Sequence, residues 1–144
     1  MKNTGINFLI FLFGATVYPI IEITTRGYTH WSMMLTGGAA FLSFYIINKH
    51  TENKSKFIKA FYGMFAVTAL ELTVGLIVNK FFNMNVWDYS GLKFNLFGQI
   101  SLAFSACWYV VSYISFCIFD IADFILYELK FSIQQRRGLA PEQK

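Results

Sequence analysis

Charge is scarce in this chain: 14% of its 144 residues are Asp, Glu, Lys or Arg, against roughly 25% in an ordinary soluble domain. With 56% hydrophobic residues, the composition excludes an ordinary soluble domain and a disordered segment. Two cysteines are too few for a disulfide-stapled module. They fall ten positions apart on one expected helix, Cys107 and Cys117, about 15 Å along its axis, and so read as small apolar filler. A net charge of +4 is too small for a nucleic-acid binder, and no nucleic-acid partner is expected. Also missing are a G-x-x-x-x-G-K-[ST] phosphate loop, a G-x-S-x-G elbow and an H-E-x-x-H zinc motif. No cofactor or resident metal is expected.

What is abundant is long uncharged sequence. A bilayer core of about 30 Å takes about 20 mostly apolar residues per helix. Four stretches meet this, at about 6–23, 31–47, 60–78 and 96–119. The fold expected is all-α, a polytopic four-helix transmembrane bundle over residues 1–119. Residues 120–144 add a C-terminal amphipathic helix and a basic tail. In that helix Ile121, Ala122, Ile125, Leu126, Leu129 and Ile133 recur at helical spacing opposite Asp120, Asp123, Tyr127 and Lys130. It either lies on the inner leaflet or continues the fourth span, and it stops before Gly138 and Pro141. The N-terminal apolar run outlasts a signal-peptide core and offers no small-x-small cleavage site.

Lys and Arg are retained on the cytoplasmic side. Lys2, Lys49, Lys54, Lys56, Lys59, Lys130, Arg136, Arg137 and Lys144 fall on one side, and Arg26, Lys80 and Lys93 on the other. A multi-pass protein of the cell membrane with both termini cytoplasmic is the expected topology.

The polar residues that do enter the apolar stretches gather toward the outer side. Glu71 lies about 16 Å into the third stretch, and an acid in hydrocarbon costs about 2.5–3.5 kcal/mol on insertion scales, so it marks a functional site by default. Glu22 and Arg26 have the i, i+4 order of a helical ion pair. His30, Trp31 and Ser32 follow at once, and Pro19 introduces a bend just before Glu22. The aromatic outer segment of Trp87, Asp88 and Tyr89 is too apolar to float in water, and is expected to lie back over the bundle as an interfacial lid. Asn79, Asn95 and Gln99 lie at the same depth. Glu22, Arg26, His30, Ser32, Glu71, Asn79, Trp87, Asp88, Tyr89, Asn95 and Gln99 are therefore the candidate solute-binding set, lining one outward-facing cavity. Gly37 and Gly38, with Ser101 and Ser105, read as close-packing positions between helices.

The strings Tyr18-Pro19, Arg26-Gly27, Thr29-His30-Trp31-Ser32-Met33, Glu71-Leu72 and Val86-Trp87-Asp88-Tyr89-Ser90, with Gly98-Gln99-Ile100 and Phe104-Ser105 before Trp108, resemble the bacterial family of putative ABC-transporter type IV proteins. The resemblance covers roughly residues 15–110 and implies a permease component of the bacterial inner membrane. Four spans being fewer than an ABC permease domain normally has, it also implies a homo-oligomer or other transporter subunits as partners, besides the lipid bilayer. One departure is Leu92-Lys93-Phe94-Asn95, where the family pattern has a proline before the asparagine.

Three functions compete on these residues. The first is a transport or solute-binding membrane subunit. The second is a membrane-embedded enzyme acting on a lipid-linked substrate, with Glu71 as base, His30 as acid or metal ligand and Arg26 on a phosphate. A hard-cation site built of Glu22, Glu71 and Asp88 oxygens fits these residues better than zinc, and absence of metal better still. The third is a scaffold whose polar network only fixes the helices.

Overall fold

The computed structural model describes residues 2–136. Arg137, Gly138, Pro141 and Lys144, expected in the basic tail, lie outside the described residues. The chain is mostly helical, 78%. Four α-helices occur among the described residues: α1 Lys2–Arg26, α2 Trp31–His50, α3 Lys56–Gly75 and α4 Leu102–Arg136. A π-helical turn, Leu76–Phe81, prolongs α3, and two short antiparallel strands, β1 Asn95–Leu96 and β2 Ile100–Ser101, precede α4.

Three of these helices are long and apolar enough to cross a membrane: Thr4–Arg26, Lys56–Phe81 and Leu102–Arg136. Their outer faces carry Phe8, Leu9, Ile20, Phe65 and Ile114 exposed, which water would penalise and lipid would not. The expected second span, α2, is not among them. Its 20 residues include Ser32, Thr36, Gly37, Gly38 and Ala40, all buried or nearly so between its neighbours. These small and polar residues form the face it packs against its neighbours, while Met34, Leu35 and Ile46 stay exposed.

Helix α1 packs chiefly on α2, α2 on α3 and α3 on α4. Hydrophobic burial drives none of this in lipid, so close fit must. At Gly37 a Cβ would collide with Tyr18 of α1. Farther along, Phe44, Ala60, Val67, Trp108 and Phe116 form the apolar interior. Thr68 donates to Ser105 Oγ at 3.1 Å, tying α3 to α4 by a bond of the kind worth about 0.6 kcal/mol in a bilayer.

One sequence expectation needs correcting. Residues 96–101 do not open the fourth helix but form the strand pair, with Asn95 facing Ser101 and Leu96 facing Ile100. The helix begins only at Leu102, where Ser101 Oγ accepts from Phe104 N at 3.3 Å as its cap. At its other end the segment from Asp120 on takes the second of its two expected arrangements. It continues α4 without a break to Arg136, because no Gly or Pro stands between Gly98 and Arg136 to end it. Pro19 likewise sits inside α1 without ending it.

The bundle thus has two ends. At one, α1 and α3 finish, α2 and α4 begin, and residues 82–101 fold over the helices. The other holds the connection between α2 and α3 and its lysines.

Candidate functional site

The buried acid of α3 is the centre of the first end. Glu71 is 2% exposed. Tyr89 of the connecting segment donates its hydroxyl to Oε1 at 3.0 Å, and Trp108 of α4 donates its indole N–H to Oε2 at 3.1 Å. Both carboxylate oxygens are therefore met, as burial demands. Burial and then the adjacent Glu71 push the Tyr89 hydroxyl above the usual phenol range, so it stays a donor. Its ring stacks on Phe104 with centroids 4.3 Å apart, and Trp108 stacks on Tyr18 of α1 at 5.7 Å.

In front of this group, along the seam between α1 and α4, lies a cavity of about 410 Å³. Tyr18, Glu22, Arg26, Tyr89, Phe104 and Trp108 are among its lining residues. Glu22, 4% exposed, forms the ion pair with Arg26 that the spacing predicts, and its second oxygen accepts from Thr29 Oγ1 at 2.6 Å. Arg26 also lies over the Tyr28 ring, 5.4 Å from the centroid. Glu71 is one hydrogen bond behind the wall rather than in it.

The remaining candidates serve other ends. Asn79, buried on the π turn, donates to Gln99 Oε1 at 2.8 Å and accepts from Val86 N at 2.7 Å. Gln99 carbonyl accepts from Trp87 Nε1 at 3.0 Å, and Gln99 Nε2 donates to the carbonyl of Phe97 at 3.2 Å. This network fastens residues 82–101 to the end of α3. Gly75 makes room for it, since a Cβ there would stand 2.6 Å from Gln99 Oε1 and 3.0 Å from the Trp87 ring. A π turn adds a residue to the helix and so re-aims the side chains beyond it, which puts Asn79 inward.

Trp87 is 5% exposed and belongs to the apolar cluster with Met33, Val78 and Val86, so it is a buried anchor of the segment. Asp88 is exposed, and accepts from Ser90 N at 2.9 Å and Ser90 Oγ at 3.0 Å. These bonds hold its carboxyl below the usual range. Asn95 donates to the carbonyl of Leu92 at 2.7 Å and accepts from Gly98 N at 3.1 Å. His30 caps α2, its Nδ1 lying 2.8 Å from Ser32 Oγ and 3.3 Å from Ser32 N. Glu22, Glu71 and Asp88 do not come together, and among the described residues no group of three acids, histidines or cysteines has the geometry for a metal.

Three aromatic residues outside the candidate set, Tyr18, Phe104 and Trp108, complete the wall. Tyr18 and Trp108 look like core residues in sequence; only the acid that Trp108 contacts, 37 positions away, distinguishes it. The atypical residue before Asn95 also finds its reason: Phe94 has φ +55°, a backbone setting closed to proline, whose ring holds φ near about −65°.

The sequence profile of the putative ABC-transporter type IV family matches residues 16–136. This span takes in all the residues just described, and the chain belongs to that family. No curated protein and no solved structure matches it.

Proposed function

As a member of the putative ABC-transporter type IV family, this chain is one that we propose acts as a membrane subunit for transport, binding a small polar solute from the outer side. The cavity of about 410 Å³ between α1 and α4 carries this reading. Its size falls within the usual small-molecule range of about 300–1,000 Å³. One ion pair and four aromatic side chains on its wall offer a solute both charge and stacking surface. Glu71 sets the wall: it holds Tyr89 and Trp108 in place from behind, so a solute that displaces Tyr89 reaches a carboxylate.

In this reading α2 crosses the membrane along with its neighbours, giving four spans. Its 20 residues reach about 30 Å, and residues 27–30 and 51–55 are too short to bring the chain back to the starting side. Both termini are then cytoplasmic by the placement of the basic residues, and the cavity faces outward across the bacterial inner membrane. With four spans the chain works as a permease component beside copies of itself or other subunits.

The test is solute binding by the purified protein in lipid nanodiscs. Zwitterionic, cationic and neutral solutes are screened by tryptophan fluorescence and thermal shift, Trp108 lying in the cavity wall. Saturable binding by at least one class is expected. A second reading, the scaffold, draws support from the polar bonds of Asn79, Asp88, Asn95 and Gln99, which are spent on holding the segment itself. It is the reading left if no class binds.

A further inference from the structure

A second and larger cavity, about 740 Å³, lies at the opposite end of the same α1–α4 seam. Its walls divide by depth. Leu9, Phe13, Phe41 and Phe119 form an apolar inner part, and Asn48, Lys49, Glu52, Lys59 and Asp123 the mouth. Phe41 and Asn48 are seven residues apart on α2, so the change from hydrocarbon to polar takes about 10 Å along the helix. That is the profile of a lipid headgroup region above acyl chains.

The mouth holds an unusual cation. Lys59 is 7% exposed, and lysines are almost never buried unless paired. Its ammonium donates to Asn48 Oδ1 at 2.7 Å, and among the described residues it has no carboxylate within ion-pairing distance. Of the three acids that line this cavity with it, Asp120 is taken by Lys56 at 2.7 Å, and neither Glu52 nor Asp123 pairs with Lys59. A buried ammonium with three donors and one neutral acceptor retains both charge and hydrogen-bonding capacity for a ligand. Lys49, at the same mouth, lies over the Tyr45 ring at 4.4 Å.

We propose that this cavity is a binding site for one phospholipid of the adjoining leaflet, its phosphate on Lys59 and its acyl chain against Leu9, Phe13 and Phe119. Asn48 is a positioning residue that holds the ammonium at the mouth. The phosphate is what the site reads. Glu52 and Asp123 at the rim suit an amine-bearing headgroup, so a phosphatidylethanolamine fits better than a phosphatidylglycerol. The site is separate from the outer cavity and does not rest on the transport reading.

Native mass spectrometry of the full chain, extracted gently from membranes holding both phospholipids and free fatty acid, tests this. The wild type is expected to retain about one phospholipid per chain, and Lys59→Met to bind it roughly tenfold or more weakly, with Lys59→Arg restoring retention. A fatty acid in place of the phospholipid, or equal retention by wild type and Lys59→Met, would overturn the assignment. Should Lys59→Met not assemble, Leu9→Trp fills the apolar part and leaves the charge in place. Loss of the lipid from that variant with the helices intact supports the site, and undiminished retention refutes it.

Discussion

Tyr89 and Glu71 share a hydrogen bond of 3.0 Å between a side chain of the connecting segment and an acid on α3. Eighteen residues of chain separate them, yet this bond seats the segment on the bundle and fixes one wall of the cavity. Because Tyr89 remains a donor over the whole physiological range, opening and closing of the segment is not governed by its ionisation. Displacing it breaks one charge-assisted or neutral hydrogen bond, worth about 0.5–3 kcal/mol. A contact of that size can yield to a ligand.

Tyr89→Phe keeps the ring on Phe104 and removes only the donor. We expect a loss of about 1–2 kcal/mol in stability from the unpaired Glu71 oxygen, and faster hydrogen exchange confined to residues around 86–90. Unchanged exchange there would show that the bond does not hold the segment.

Gln99 and Asn79 should behave differently. Either changed to Ala leaves a buried partner unsatisfied, at about 1–3 kcal/mol each. In the double variant the losses should fall short of additive, because both residues serve one network. Strict additivity in thermal unfolding would mean that the two amides act separately.

The Asp88 turn gives a pH dependence with a definite sign. Since its carboxyl sits below the usual range through the bonds from Ser90, its contribution is fully present above the unfolded-state value of about 3.9 and fades only as pH falls through the lower folded value. Exchange at the Ser90 amide, after correction for its intrinsic rate, should show constant protection from pH 8 to about 5 and reduced protection below about 4. A change between pH 5 and 8 would place control in another group.

Topology is tested by single cysteines replacing Ser55 and Ser90 in a background with Cys107 and Cys117 changed to Ser. Opposite-side labelling is expected. Reaction of both from the same side would rule out the four-span arrangement and with it the outward cavity.

Much of this site was legible in the residues. The Glu22–Arg26 pair follows from helical spacing alone, and Glu71 stood out through the cost of placing an acid in hydrocarbon. What escaped notice depended on long-range pairing. Asn79 meets Gln99 across a loop of irregular backbone, with Asn83, Asn85, Phe94 and Phe97 all at positive φ, and no periodicity encodes such a path. Of the aromatic segment expected as a lid, Trp87 is buried with Val86 and Tyr89 reaches Glu71 while Asp88 faces out, and alternation along an irregular segment does not say which side faces the core. Trp108 looked like one more aromatic residue on an apolar helix, and the acid it serves is on a different one. The early start expected for the fourth helix came from apolar Leu96 and Phe97, which fall in a strand and in the turn after it.

The central claim is that the outer cavity binds a solute under the control of Glu71, and Glu71→Gln tests it most directly. An amide of nearly the same volume can still accept from Trp108 and donate to Tyr89, so the melting temperature should stay within a few degrees. For a solute that binds the wild type in nanodiscs, the account predicts that affinity falls about tenfold or more, the equivalent of about 1.4 kcal/mol. Undiminished affinity in this variant, or no saturable binding to the wild type from any of the three solute classes, would contradict it.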